Sequence, residues 1–502
     1  MADRLLKEYD LIIDEMKANV KIVEKENEFV KIYWLDLPEF GEGTEALMKN
    51  IKQKLLVDSS IRTDKMLDPK FIDELKGKFR EKAVKIIQRE LPAIDEKSKI
   101  SLIAVLLNDM LGLGKVEFLL SDGNLEEIVI NSAKEPLWIY HKEFGWLKTN
   151  VTVESEAETQ NYASIIARRV GKQITTLNPL LDAHLITGDR ANATLFPISG
   201  AGNTITIRRF RRDPWTVTDF IKNNTVSSEM MALIWLSMQF ELNIILSGGT
   251  ASGKTSFLNV CLPFIQPNHR IISIEDTREI ALPEFLHWVP MTTREPNPEG
   301  KGAVQMIDLL VNSLRMRPDR IIVGEVRRQR EAEVMFEAMH TGHSVYTTVH
   351  ANTSEETIRR LTNPPIEIPA VMLEAVHLNV VMFRNRRLGV RRVLEVGEFV
   401  PEKVGAEKER VKANILYRWK PGIDKIEKHA DSIRLFDELS LHTGLIASEL
   451  GEEILKKQRI LDWMVKNDLR SLKDVGRVMA TYYMHPEEIE EMVQKNKTWK
   501  GK

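Results

Sequence analysis

The sequence predicts an α/β protein built around a parallel sheet, with a smaller α+β domain before it and helices after it. Three observations predict this. The first is the run Gly248-Gly249-Thr250-Ala251-Ser252-Gly253-Lys254-Thr255, which matches G-x-x-x-x-G-K-[ST] without a gap. The apolar run Asn243–Ser247 before it reads as a buried strand, and Ser256–Val260 after it as the start of a helix. The second is the alternation of strand and helix patterns between about 216 and 420, where Ile271–Ile274, Arg320–Val323 and Ser344–Val349 are buried-strand runs. The third is a set of shorter strand-like runs upstream, Ile128–Asn131, Leu137–Tyr140 and Thr204–Ile207, around a helix over Asn161–Val170.

A strand, a glycine loop and a helix N-terminus together make a phosphate cradle, with backbone N–H groups and the helix dipole pointing at the anion. Gly248 to Thr255, with Ser256, are the nucleotide-binding candidates. The glycines let the backbone wrap phosphates, Lys254 reaches the β/γ-phosphates and the Thr255 hydroxyl can ligate Mg²⁺. The implied ligand is a nucleoside triphosphate.

At 502 residues the chain is too long for one core. Its net charge of −2 gives no global attraction to nucleic acid or acidic lipid. The single cysteine, Cys261, excludes an intrachain disulfide and any cysteine-rich zinc site, and fits a reducing compartment. No apolar run approaches the roughly 18 residues of a membrane span, and the N-terminus is not of signal-peptide type. A cytoplasmic protein is expected.

The organisation follows from composition. Residues 1–95 are charged and expected to be mostly helical, a partner-binding region. Residues 96–210 read as α+β, 211–216 as a hinge around Asp213-Pro214, 217–425 as the α/β domain, and 426–502 as helical, with apolar residues at helical spacing over Gly451–Val465 and Leu472–Tyr482.

Hydrolysis needs more than a cradle: a metal clamp and a group to position water. Two acidic strand ends supply candidates, Glu275-Asp276-Thr277-Arg278-Glu279 after one apolar run and Gly324-Glu325 after another. Ligands bind beyond the carboxyl ends of strands in an open parallel sheet, so both groups should lie beside the loop. His340, His343 and His350 form a third cluster. Without cysteine or an acidic ligand pattern it reads less as a metal site than as a histidine sensing the terminal phosphate, or a buried structural histidine.

These residues carry a resemblance. In order and type they resemble the type II/type IV secretion ATPases, hexameric motors of secretion systems, type IV pili and archaella. Gly248–Thr255 matches the family's phosphate loop and Glu275–Glu279 its Asp box. Ile322-Val323-Gly324-Glu325 matches its Walker B, and the span from His343 to His350 its His box. Upstream, Ser121-Asp122, Leu125–Ile128, Gly188-Asp189-Arg190 and Thr204–Arg208 resemble the domain that precedes the motor. The resemblance covers about residues 100 to 420. It implies a RecA-like ATPase domain behind a PAS-like α+β domain that supplies arginines. Glu279 would activate or orient water, Glu325 would act through Mg²⁺ and its water shell, and His350 would couple γ-phosphate loss to movement. Arg190 and Arg208 would reach the γ-phosphate. It further implies a homohexamer, a polytopic membrane platform protein as partner, and residence at the inner face of the cell membrane.

The sequence departs from some relatives. It lacks the four-cysteine zinc module of several bacterial members, so no zinc is expected. The form Glu-Asp-Thr-Arg-Glu of the Asp box, with Asn363-Pro364-Pro365-Ile366, is closer to archaeal pilus and archaellum members. Two other readings stay open at this level. A nucleic-acid translocase would use the clusters Arg208–Arg212, Arg327–Arg330 and Arg384–Arg392, but they lack interleaved aromatics. A nucleotide-gated scaffold would bind ATP without turnover, against which both Glu279 and Glu325 argue.

Overall fold

A computed structural model describes residues 4–13, 16–26, 28–37, 41–57, 69–185, 188–209, 214–296, 300–385, 387–404 and 408–499. The chain divides into two compact units between Arg211 and Arg212. Residues 211–213 of the expected hinge lie outside the described residues.

The first unit contains β1 (Arg4–Ile13), β2 (Met16–Glu24), β3 (Ile32–Asp36), α1 (Glu42–Val57), α2 (Pro69–Glu90), α3 (Glu96–Leu111) and α4 (Val116–Ser121). These are followed by β4 (Leu125–Ile130), β5 (Trp138–His141), β6 (Gly145–Thr149), α5 (Glu156–Arg169), β7 (Leu180–His184), β8 (Arg190–Thr194) and β9 (Thr204–Arg208). All nine strands form one sheet in the order β1-β2-β3-β6-β5-β4-β9-β8-β7.

The expectation of mostly helix over residues 1–95 is corrected for its first part, because residues 4–36 carry three strands. The physical reason is visible in β2. Met16, Ala18, Val20 and Ile22 are buried while Lys17, Asn19 and Lys21 point outward. That is a period of two, the pleat of a half-buried strand, and the abundance of charge does not alter it. These strands share one core with the α+β part. β3 pairs with β6, and the hydroxyls of Tyr9 and Tyr33 both donate to the buried Asp122 carboxylate. α1, α2 and α3 pack on one another through Met48, Ile51, Phe79, Ala83, Ile87, Leu102 and Leu106.

The second unit begins with α6 (Val217–Lys222), α7 (Ser228–Gln239), β10 (Ile244–Gly248), α8 (Lys254–Cys261), β11 (Ile271–Glu275), β12 (Trp288–Thr292) and α9 (Met306–Ser313). It continues with β13 (Arg320–Val323), α10 (Gln329–His340), β14 (Ser344–Val349), α11 (Ser354–Thr362), β15 (Leu378–Asn385), β16 (Val390–Val404), β17 (Lys408–Lys420) and β18 (Lys425–Lys428). It ends with α12 (Leu435–Thr443), α13 (Ala447–Lys466), α14 (Leu472–Met484) and α15 (Pro486–Gln494). The sheet order is β12-β11-β13-β14-β10-β15-β16-β17-β18. The first six strands are mutually parallel, and β10, β11, β13 and β14 are buried along their whole length. Burial on both faces explains their unbroken apolar runs.

The expected α/β class, with a P-loop domain on a parallel sheet and a helical C-terminal region, is the one found. The parallel pattern stops at β15, however, rather than running on to about 420. β15 to β18 form an antiparallel meander, because the connections between them are too short for a crossover helix.

Glu398 of β16 joins this meander to the C-terminal helices. It is fully buried, yet its two oxygens accept from Asn414 Nδ2 at 2.7 Å, Ser432 Oγ at 3.0 Å and the N–H groups of Ile433, Arg434 and Leu435. Three of those donors are the backbone at the start of α12, where a carboxylate also meets the positive end of the helix dipole. Glu398→Ala removes the acceptor of the three backbone N–H groups and of Ser432, while Asn414 keeps its bond to the Asp431 carbonyl. It is expected to cost about 3 kcal/mol or more, read as a lower thermal midpoint of the full chain. Glu402→Ala on the same strand breaks only a surface pair with Lys412 and should cost under about 1 kcal/mol.

Candidate nucleotide site

The loop after β10 has the backbone that the motif requires. Gly248 and Gly253 have φ of 153° and 98°, and Ala251 joins them in the left-handed region at 58°. A Cβ on Gly248 would come within 2.6 Å of the Met382 carbonyl oxygen and 2.4 Å of Ser252 Oγ. Only glycine fits there. Lys254 opens α8, and its Nζ donates to the carbonyls of Gly248 at 2.9 Å and Gly249 at 3.2 Å. The Ser252 hydroxyl is buried and has no hydrogen-bond partner among the described residues. Thr255 and Ser256 follow in the first turn of the helix, half-buried.

The acidic groups meet this loop at the carboxyl edge of the sheet. Glu275 ends β11, Glu325 lies two residues past β13, and His350 directly follows β14. His350 bridges two of the groups. Its Nδ1 is 3.3 Å from Lys254 Nζ and its Nε2 is 3.1 Å from Glu325 Oε1. Arg327 donates to Glu325 Oε2 at 2.7 Å and to Asp276 Oδ2 at 3.1 Å, linking the ends of β11 and β13. Burial lowers the pKa of Lys254, while the carboxylates of Glu325 and Glu279 oppose that shift. Burial and the Lys254 charge lower that of His350, against the pull of Glu325.

Within the acidic pentapeptide the roles separate. Glu275 is a buried cap whose Oε1 accepts from the N–H groups of Glu279 at 2.8 Å and Ile280 at 2.9 Å. Asp276 is braced by Thr293 Oγ1 at 3.1 Å and by Arg327. Glu279 is half-buried, and its carbonyl accepts from Asn259 Nδ2 at 2.7 Å. Asn259 Oδ1 accepts from Ala281 N–H at 3.0 Å, so α8 is tied directly to the segment bearing Glu279. Asn259 carries no sequence signal, and only the packing reveals it. Arg327 has one, its position two residues after Glu325.

The structure separates the two histidines of the His box. His343 precedes β14, with Nδ1 3.3 Å from both the Ala338 carbonyl and Thr341 Oγ1. His350 follows β14. Six strand residues at about 3.3 Å each put roughly 20 Å between the two ends, so His343 does not reach the loop. His340 ends α10. Among the described residues no three His, Cys, Asp or Glu side chains form a metal-binding group. Arg190 and Arg208 belong to the first unit, where they are directly opposed across β8 and β9, with Asp182 at 3.9 Å from Arg190.

Mg²⁺ fits the donors present. It takes hard oxygen ligands, uses one or two from protein and completes its shell with phosphate and water. The Thr255 hydroxyl and the Glu325 carboxylate are oxygens of that kind at the mouth of the loop.

Comparison with known proteins gives the family. The model of the family "Type II/IV secretion system protein" matches residues 189–392. An uncharacterized protein of Methanocaldococcus jannaschii is 35% identical over 410 residues, 79% of this chain and 73% of its own length. The chain belongs to the type II/IV secretion system protein family. A putative conjugal transfer protein of Mycobacterium tuberculosis is 30% identical over 52% of this chain and 74% of its own. Among solved structures, the ATPase DotB of Legionella pneumophila is 19% identical, covering 74% of this chain and 92% of its own, with a TM-score of 0.41.

Glu275 has a consequence that can be measured. Burial pushes its carboxyl up to about 7, with the two backbone N–H bonds opposing. Its folded pKa is thus above the unfolded value near 4.5. The folded state holds a proton that the unfolded state releases, so stability is lost as pH rises from about 4.5 to about 7. His377 has the opposite sense: burial lowers it to about 4, and its contribution is lost as pH falls from about 6.5. The difference between wild type and Glu275→Gln therefore isolates the first group. Denaturant titrations across this range should show the wild type losing about 3 kcal/mol relative to the variant between pH 4.5 and 7. A flat difference would show that Glu275 titrates normally.

Proposed function

We propose that this chain is an ATP-hydrolysing motor that powers secretion or the assembly of type IV pilus-like filaments. The observation that carries the reading is the chain of contacts from the loop lysine through His350 to Glu325 at one sheet edge. A glycine loop alone binds phosphate, whereas a lysine, a histidine and a strand-end carboxylate in contact couple a phosphate to water chemistry. Family membership and the similarity to a conjugal transfer protein support it.

In this mechanism the nucleotide takes over the bonds that Lys254 now makes with Gly248 and Gly249, and the backbone N–H groups of the loop hold the β-phosphate. Mg²⁺, held by Thr255 and Glu325, would offset the charge that develops on the transferred group. Glu279 orients the attacking water. His350 exchanges its contact with Lys254 for one with the terminal phosphate, and its return on phosphate loss signals hydrolysis to β14. Arg190 and Arg208, opposed across β8 and β9, would supply positive charge to the same phosphate. A homohexamer acting on a polytopic membrane platform protein fits this arrangement, from the cytoplasmic face of the cell membrane. No described helix is long and apolar enough to cross a membrane. An archaeal pilus role is the form we favour, with an archaellum motor as its variant.

The test is Mg²⁺-dependent ATP hydrolysis by the purified chain beside Glu325→Gln. Turnover in the wild type should fall at least about 100-fold in the variant, with ATP binding retained. Mass measured with and without ATP should show a nucleotide-favoured hexamer. ATP binding with no turnover in the wild type, even with membranes bearing the platform protein, would sink the motor reading in favour of a nucleotide-gated scaffold. Turnover stimulated by single-stranded DNA would favour a translocase.

A further inference from the structure

β15 continues past the end of β10. Gly248, the last residue of β10, pairs with Met382, so Phe383, Arg384 and Asn385 run on alongside the phosphate loop. On the return strand, β16 sets Arg391 opposite Arg384 and Arg392 opposite Phe383. Side chains alternate between faces, so Met382, Arg384 and Arg391 share one face while Phe383 and Arg392 share the other. The shared face is the one toward the loop. The terminal methyl of Met382 is 3.6 Å from where a Cβ on Gly253 would stand, and Arg391 Cδ is 3.5 Å from the same point. Arg391 Nε also donates to the Ala251 carbonyl at 3.2 Å.

The neighbouring arginine has a different task. Arg392 is buried, forms a two-point pair with Asp424 at 2.7 Å and donates to the Asn223 carbonyl at 3.1 Å. It is a structural cation on the far face. Arg384 and Arg391 are instead directly opposed on the face toward the loop, and Arg391 reaches the loop backbone itself. They stand at the rim of an anion cradle.

We propose that Arg391, with Arg384 beside it, binds the α- and β-phosphates of the nucleotide from the side of the loop opposite the hydrolytic groups. The sheet order supports this division, since β10 lies between β14 and β15. His350, Glu325 and Glu279 approach from the β14 side, where the terminal phosphate and the water must be. The β15 side is left with the phosphates that ADP retains, and a guanidinium matches phosphate oxygens in a two-point geometry. This rests on the nucleotide reading above, and it gives the Arg384–Arg392 cluster a role other than a nucleic-acid path.

The experiment is calorimetric binding of ADP with Mg²⁺ to the full chain at low and high salt, for wild type, Arg391→Gln and Arg384→Ala, with steady-state ATP turnover alongside. The amide introduced by Arg391→Gln keeps a donor for the Ala251 carbonyl but removes the charge, so a mere brace and a phosphate contact give different results. Arg391→Gln should weaken ADP roughly ten-fold, flatten the salt dependence of binding, and raise KM for ATP far more than it lowers kcat. Arg384→Ala should weaken ADP in the same direction by a smaller factor. Arg391→Lys, which keeps the charge, should recover part of the loss, and it serves equally should the glutamine variant fail to fold. Wild-type ADP affinity in Arg391→Gln, or a loss of affinity with an unchanged salt dependence, would overturn the proposal while leaving the motor reading intact. A wild type that binds neither ADP nor ATP would overturn both.

Discussion

The site is organised about one cation withdrawn from water. Lys254 opens α8 and rests on the Gly248 and Gly249 carbonyls, with His350 and, through it, Glu325 in reach. An ammonium group so placed needs oxygens in place of its lost hydration. The two carbonyls provide them, and the Glu325 and Glu279 carboxylates oppose the lowering of its pKa by burial. The positive φ values of Gly248, at the end of β10, and of Gly253, just before α8, let the loop turn so that the lysine reaches the Gly248 and Gly249 carbonyls.

The sheet converts that local requirement into a shared edge. Because β10, β11, β13 and β14 are parallel, their carboxyl ends all face the same way. Residues separated by many positions in the chain, Lys254, Glu275, Glu325 and His350, therefore gather at one rim. Arg327 and Asn259 bind the pieces of that rim together, one between Asp276 and Glu325, the other between α8 and the segment of Glu279. The loop lysine is thus joined to Glu325 and Asp276 by direct contacts through His350 and Arg327.

Much of this is legible from residue order. The phosphate loop is a contiguous motif, its glycines are dictated by backbone geometry, and strands buried on both faces announce themselves as apolar runs. The acidic strand ends follow from the parallel sheet. Other features are hidden because they depend on pairing. The strands of residues 4–36 are masked by charge, although the alternation of Met16, Ala18, Val20 and Ile22 is there to be counted. His343 looks like a partner of His350, and only the direction of β14 shows that a full strand length separates them. The antiparallel meander after β15 is masked by the charged residues of β16 and β17, and its mark is the short connections, which leave no room for a crossover helix.

By itself the sequence determined the α/β class, the glycine loop at Gly248–Thr255 between a strand and a helix, and the two acidic strand ends, because each depends on covalent neighbours and on a short-range period. Tertiary structure alone decided that Glu275 is a buried cap, that Arg327 and Asn259 tie the rim together, and that Arg391 rather than Arg392 faces the loop. Those assignments turn on which face of a strand a side chain occupies and which segment lies across from it. Both are set by strand pairing between residues far apart in the chain, which leaves no mark on the residues themselves.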